Sequence, residues 1–421
     1  MQNLCAWQPF LNNSMDSGTY ISVPFCRSKC TYCNFASGVF SAAQMGRYVE
    51  RLIEDMHSIR SFAAEVGAMI PESSDSIYLG GGTPSLLPPD ELKKLFSAVR
   101  QEFNVTAQAE ITVECAPGTL TDSIIETLVS CGVNRVSLGV QSFVDKEAAS
   151  VARLHTREKT LTDIERLRKA GIANINVDLI AGLPHQTRES WEYSVDQAIA
   201  TGAPHVSIYM LEVDEDSRLG RELIAGGTKY HAHFVPDDDQ TAEFYETACA
   251  RLKQAGIEQY EISNFARAGF ESRHNLKYWT RQPYLGFGVD AHSMLCLNSQ
   301  LQTKEPGSVR FSTTDDYDRF LSASGLHGIV VTSEQALEES FFLGLRLNRG
   351  VDLVALRKKF GVAASKFDAR VSRLIALGLM AQSGDNLSLT RRGILLSNEV
   401  FESFIGEERS AIQPIPEASV S

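Results

Sequence analysis

The sequence predicts an α/β protein: a partial (β/α)6, TIM-like barrel followed by a smaller helical, winged-helix-like C-terminal module. Three observations in the 421 residues carry this reading. Short β-branched runs alternate with amphipathic stretches from about Thr19 to Leu211. Glycine-rich and polar residues gather at the C-terminal ends of those runs. After Leu211 the rhythm breaks, and helical patterns take over from Ser333.

The runs are 20–25, 76–79, 110–114, 135–140, 175–180 and 206–211, each of strand length. After the first, Met45, Tyr48, Val49, Leu52, Ile53, Met56 and Ile59 recur at helical spacing and make one apolar face. Leu92, Leu95, Phe96, Val99 and Phe103 do the same after Pro88-Pro89. Thr121 is placed as an N-cap ahead of Ile124, Ile125, Leu128 and Val129. Parallel strands need crossovers, so successive strand–helix units give a parallel sheet wound with helices. A partial barrel and a doubly wound sheet both satisfy the rhythm. Either fold builds its site at the C-terminal strand ends, where Gly80-Gly81-Gly82-Thr83, Glu114, Gln141 and Asp178 fall.

The core is expected over 19–298, preceded by an extension at 1–18 in which Met1 or Met15 is the start. Beyond the sixth run, 240–255 reads as a helix and 259–262 as a strand. Residues 265–292 are rich in aromatic and basic side chains. Residues 299–332, polar with Pro306-Gly307, read as a linker. In 333–405 three helical patterns precede apolar runs at 378–380 and 387–389, and 406–421 reads as a disordered tail.

Hydrophobic residues make up 43% and charged residues 22%, an ordinary globular mix. No apolar run approaches the ~18 residues that span a bilayer, and no basic-then-apolar leader is visible. A cytoplasmic protein that is not integral to a membrane is expected. A net charge of −12 argues against nucleic-acid binding.

Of eight cysteines, only Cys26, Cys30 and Cys33 cluster. In a reducing compartment that points to metal or redox chemistry rather than disulfides. Three thiolates suit a 4Fe–4S cluster with one iron open to another ligand. Buried free thiols and zinc are the alternatives; zinc wants a fourth ligand, and no His lies in the segment. Arg27 and Lys29 are expected to lower the thiol pKa values.

The CxxxCxxC spacing, with Gly80-Gly81-Gly82-Thr83-Pro84 after a strand, resembles the radical S-adenosylmethionine superfamily. From Tyr20 to about Phe401 the chain resembles the oxygen-independent coproporphyrinogen III oxidase-like family within it. The resemblance implies that S-adenosylmethionine binds the open iron. It implies contacts to that cofactor from Tyr20, Tyr32, Gly81, Gly82, Thr83, Glu114, Gln141, Arg153 and Asp178. The family usually has Asn where this chain has Ala116 in Glu114-Cys115-Ala116-Pro117-Gly118-Thr119; Cys115 is expected to be a small buried thiol.

The family holds a decarboxylating oxidase, with a CxxxCxxCxC motif, and a haem chaperone, with an HNxxYW motif. Here Phe35 stands where the oxidase has its fourth cysteine, and 274–279 reads His-Asn-Leu-Lys-Tyr-Trp. The resemblance therefore implies a haem chaperone, with the oxygen-independent oxidase as the alternative. Haem needs an imidazole, aromatic walls and cations. His274 is the expected iron ligand and His292 the second candidate, among Phe265, Phe270, Tyr278, Trp279, Tyr284 and Phe287, with Arg267, Arg273, Lys277 and Arg281. Implied partners are haem, acceptor haemoproteins and an electron donor for the cluster. Respiratory acceptors would be met at the membrane face by transient association.

Overall fold

The computed structural model describes residues 16–297, 307–322 and 326–406. Most of the extension, both start candidates and all but the first residue of the tail lie outside them. The six runs form β1 (Ser17–Val23), β2 (Ser73–Gly81), β3 (Asn104–Cys115), β4 (Arg135–Gln141), β5 (Asn174–Ala181) and β6 (His205–Met210), paired in parallel in chain order. Helices such as Ala42–Glu65, Pro89–Glu102, Asp122–Ser130 and Arg188–Ala200 make the crossovers. Thr121, Thr156 and Thr187 cap three helices, each hydroxyl accepting an N–H three residues on. Helix starts leave N–H groups without internal partners, and these caps satisfy one apiece.

Strand alternation divides the sheet into two chemistries. Ile21, Val23, Ile77, Leu79, Val113, Val136, Leu138, Val177, Leu179, Val206 and Ile208 are buried in one apolar cluster with the helices. The opposite face turns inward and is polar: Ser76, Glu110, Ser137, Asn176, His205 and Ser207 are buried there. Asn176 binds this face together, its amide nitrogen donating to Asp178, Ser137 and Ser207 at 2.6–2.9 Å.

On the β1 side, Tyr284–Phe287 adds a further parallel strand, then His292–Leu297, Ser308–Ser312 and His327–Val331 add antiparallel ones. On the β6 side, Asn264–Ala266 pairs antiparallel. Among the described residues the two edges do not pair, so the barrel is open.

Three expectations are corrected. The described part of 299–332 is not a linker but continues the sheet. Val309 and Phe311, at 0% and 1% exposure, alternate toward the apolar cluster shared with the helices, a pattern too short and too close to Pro306-Gly307 to stand out. The strand expected at 259–262 is split into Glu258–Gln259 and Asn264–Ala266, because the buried Glu261 carboxylate accepts from the Asn264 amide and forms a turn. The segment 265–292 is not one aromatic and cationic surface. Phe265 and Phe287 are core, Lys277 is buried against Asp75 at 2.7 Å, and Arg281 is buried against Glu339.

Helix Arg273–Trp279 closes the barrel at the N-terminal strand ends. It lies so close to β1 that a Cβ at Gly18 would meet the Lys277 stem at 2.9 Å and the His274 ring at 3.1 Å.

The C-terminal module has helices Ser333–Gly344, Leu353–Phe360 and Asp368–Ala376 and a hairpin of Met380–Ser383 with Asn386–Leu389. Leu337, Phe341, Phe367, Leu374, Leu387 and Phe404 give it a core of its own. Glu339 joins it to the barrel, accepting from Arg281 and Arg310 at 2.8 Å each. Among the described residues no helix is long and apolar enough to cross a membrane.

Replacing Glu339 by Ala leaves two guanidinium groups facing each other without a carboxylate. The expected loss is about 3 kcal/mol, measured as a lower midpoint in urea unfolding.

Candidate functional site

A cavity of about 1040 Å³ opens at the C-terminal ends of the strands. Cys26, Cys30 and Cys33 line it from the loop after β1, none of them disulfide-bonded. Cys26 is held by its own N–H to Gly38 O at 2.8 Å. The Thr83 hydroxyl lies 4.0 Å from its sulfur, and Ser37 lies 3.9 Å from that of Cys33. Burial pushes the Cys26 thiol up.

The cation beside the thiols is not one of those expected. Arg27 and Lys29 turn to the carbonyls of Gly118 and Phe35. Arg153 instead reaches Cys30 Sγ at 3.6 Å and also donates to Gly139 O. A guanidinium there sets a positive charge against the cysteine lip. Among the described residues no three His, Cys, Asp or Glu side chains converge to hold a single ion. A cubane takes each thiolate at a different corner, so sulfurs spread around one lip suit it better than a lone zinc ion.

The glycine run sets this lip. Gly82 N donates to Val23 O at 2.9 Å, and Thr83 N to Phe25 O at 2.7 Å. A Cβ on Gly82 would sit 2.8 Å from both carbonyl oxygens, and Gly81 has φ +96°. Only glycine lets the end of β2 approach the cysteine loop so closely.

Gly81, Thr83, Glu114, Gln141, Arg153, Asp178 and Tyr32 also line the cavity. Gln141 follows a register shift against β5 and has φ +68°, and its buried Oε1 has no partner among the described residues. A bulge, an unfavourable backbone and an unsatisfied acceptor at one residue mark a ligand site. Glu114 accepts from Tyr78 Oη at 2.7 Å. Its carboxyl is pushed up to about 7, first by burial and then by Asp178. Asp178 is raised by burial too, although Asn176 and Ser137 donate to it at 2.6 and 3.1 Å. Cys115 is a buried thiol, pushed up to about 12 by burial.

Two expected residues lie elsewhere. Tyr20 stands behind this lip, its hydroxyl 3.5 Å from where a Cβ of Gly81 would be. His274 is 1% exposed near the opposite end of the barrel. Its Nδ1 meets Ser76 Oγ at 3.0 Å and its Nε2 meets Tyr278 Oη at 2.9 Å. Burial, then Lys277, lowers its pKa to about 3, which keeps the ring neutral. An iron would bind His274 only after one of those hydrogen bonds broke.

Sequence reasoning did not find the far wall. Tyr209 lines it from the end of β6, and Arg346, Leu395, Ser397, Asn398 and Glu399 from the C-terminal module. Nothing in the spacing of residues 395–399 says that this segment folds back over the barrel.

The open parallel barrel, the cysteine lip and the glycine-lined strand end define a radical S-adenosylmethionine protein. Residues 20–198 match the Radical SAM superfamily, and residues 331–396 match the HemN C-terminal domain. The chain is 32% identical over 394 residues to "Heme chaperone HemW" of Lactococcus lactis, covering 92% of this chain and 97% of that protein. It is 35% identical over 390 residues to the Bacillus subtilis protein of the same name, covering 92% and 99%. The chain belongs to the HemW family. Its fold is similar to the solved coproporphyrinogen III oxidase (HemN) of Escherichia coli, with TM-score 0.76 at 22% identity over 92% of this chain and 90% of that one.

Two outcomes follow from this geometry. Gly82→Ala is expected to lower iron bound after anaerobic reconstitution well below the wild-type content while leaving the far-UV dichroism intact. The second concerns Glu114 in the ligand-free chain. Between pH 4.5 and about 7 the folded state holds a proton that the unfolded state releases, so stability falls as pH rises through that window. Glu114→Gln should remove this slope and gain on the order of 3 kcal/mol at pH 8, measured by urea unfolding at several pH values.

Proposed function

We propose that the chain is a haem chaperone. It holds a 4Fe–4S cluster on Cys26, Cys30 and Cys33, binds S-adenosylmethionine beside it, and passes haem to acceptor haemoproteins. When bound, the cluster and S-adenosylmethionine supply one-electron chemistry; the chain's own part is placement. Half-buried Glu114 and Asp178 suit an ammonium or ribose hydroxyls, Arg153 suits a carboxylate, and Gln141 Oε1 supplies an acceptor without a hydrogen-bond partner among the described residues. The glycine run of β2 offers close backbone contact.

The observation that carries the chaperone reading over the oxidase is Phe35. It stands two residues after Cys33, at the lip of the cavity and 59% exposed, where the oxidase pattern has a fourth cysteine. The near end-to-end likeness to proteins named haem chaperones supports the same reading.

Anaerobic titration of the reconstituted chain with haemin should give a saturable Soret band. Incubation with coproporphyrinogen III, reductant and S-adenosylmethionine should release no CO2. Loss of two propionate carboxyls per porphyrinogen as CO2, without haem binding, would replace this proposal with the oxidase.

A further inference from the structure

A group of imidazoles gathers where the loop after β5 meets residues 229–234. His185 Nε2 stands 3.3 Å from His231 Nδ1. The rings of His185 and His233 both pack on Phe234, with centres 4.1 and 4.0 Å from its own. His185 N donates to Phe234 O at 2.9 Å, so backbone as well as rings joins the two segments. None of these side chains lines the main cavity.

The backbone here is held in a costly shape. His185, Tyr230 and His231 have φ of +69°, +54° and +62°. Among the described residues, seven that are not glycine have positive φ, and three of the seven meet in this one contact. A left-handed tyrosine is an outlier, and residues held in such conformations cluster at ligand sites. The result is two imidazole nitrogens side by side, with His231 exposed and His185 half-buried. Their separation is long for a good hydrogen bond. It matches the edge of a zinc tetrahedron, in which Zn–N bonds of ~2.05 Å set two nitrogens ~3.3 Å apart. Burial, then Lys146 and the neighbouring imidazoles, lower the pKa of His185, so its ring is neutral at pH 7 and has a lone pair to give.

We propose that His185 Nε2 and His231 Nδ1 bind a divalent ion of the zinc class, at a site separate from the cysteine lip. Water fills the other positions, since among the described residues no third His, Cys, Asp or Glu converges on the pair. The ion ties residues 229–234 to the loop after β5, and what lies beneath gives the tie a role. Leu183 and Ala232, one from each segment, are buried with Val151, Ile180 and Leu219, and Tyr32 packs against them. Leu219 N donates to Thr31 O at 2.8 Å, and Thr31 N donates to Val151 O at 3.3 Å. Thr31 and Tyr32 lie between Cys30 and Cys33. The ion therefore steadies the packing behind the cysteine loop without touching a sulfur.

The test is calorimetric titration of Zn2+ into the anaerobically reconstituted full chain, in which the cluster keeps Cys26, Cys30 and Cys33 from competing for the ion. If no cluster assembles, the same comparison is made in a chain carrying Cys26→Ser, Cys30→Ser and Cys33→Ser. Asparagine tolerates a left-handed backbone, so His185→Asn and His231→Asn remove an imidazole without refolding the loops. Each should weaken one saturable Zn2+ site by roughly tenfold or more, while His233→Ala leaves it within about threefold. Zn2+ should raise the thermal unfolding midpoint of the wild type and of neither asparagine variant. A wild-type chain without saturable Zn2+ binding, or asparagine variants with wild-type affinity, would overturn the site. So would an equal loss in His233→Ala, because the ion would then not belong to this pair.

Discussion

Where Cys26 can stand is decided by how closely two strand ends approach. β1 and β2 run side by side in parallel, with Val23 opposite Gly81. The chain beyond each must then share the same small space. Hydrogen bonds from Gly82 and Thr83 to the carbonyls of Val23 and Phe25 close that space from backbone to backbone. No side chain fits between, which is why the run must be glycine. Once the approach is fixed, the cysteine loop leaves β1 in one direction, and the three thiols face the cavity rather than the helices. The hydroxyl of Thr83 and the guanidinium of Arg153 then find sulfur atoms within reach.

Below that lip the interior of the barrel is polar, where other (β/α) barrels fill it with branched apolar side chains. Here the inward residues form a graded stack. Lys277 and Asp75 pair at the base, His274 and Tyr78 lie above them, and Glu114 is near the mouth. Every step is hydrogen-bonded, tilted or stacked on the next, so the buried polar groups are mostly satisfied from within. One exception among the described residues, Gln141 Oε1, lines the main cavity.

Much of this was legible from residue patterns. The six strands announced themselves through β-branched runs, and Thr121 through the apolar pattern that follows it. The cysteines, the glycines and the strand-end carboxylates fall where the fold places its site, so their grouping followed from the fold class. What was not legible depended on contacts between distant segments. The role of Arg153 beside Cys30 could not be told from that of Arg27, because nearness in sequence favours Arg27 and only the fold turns it away. His274 looked available because a motif does not show that both its nitrogens are spoken for. The strand Ser308–Ser312 was hidden because five residues beside a Pro-Gly pair carry too little periodicity to outweigh a turn signal.

The far wall of the main cavity belongs to a unit with its own hydrophobic core. Arg346 lies over the Trp279 ring at 4.3 Å and faces into the cavity, and Ser397, Asn398 and Glu399 stand nearby. The cysteines and glycines that would cradle the cluster sit on the barrel. The chain thus divides the walls of one cavity between two units: the barrel supplies the cysteines and glycines, and the module supplies the side chains opposite them. Changes confined to the second part can alter admission while the first keeps its geometry. One barrel can in this way be given different guests by exchanging its roof.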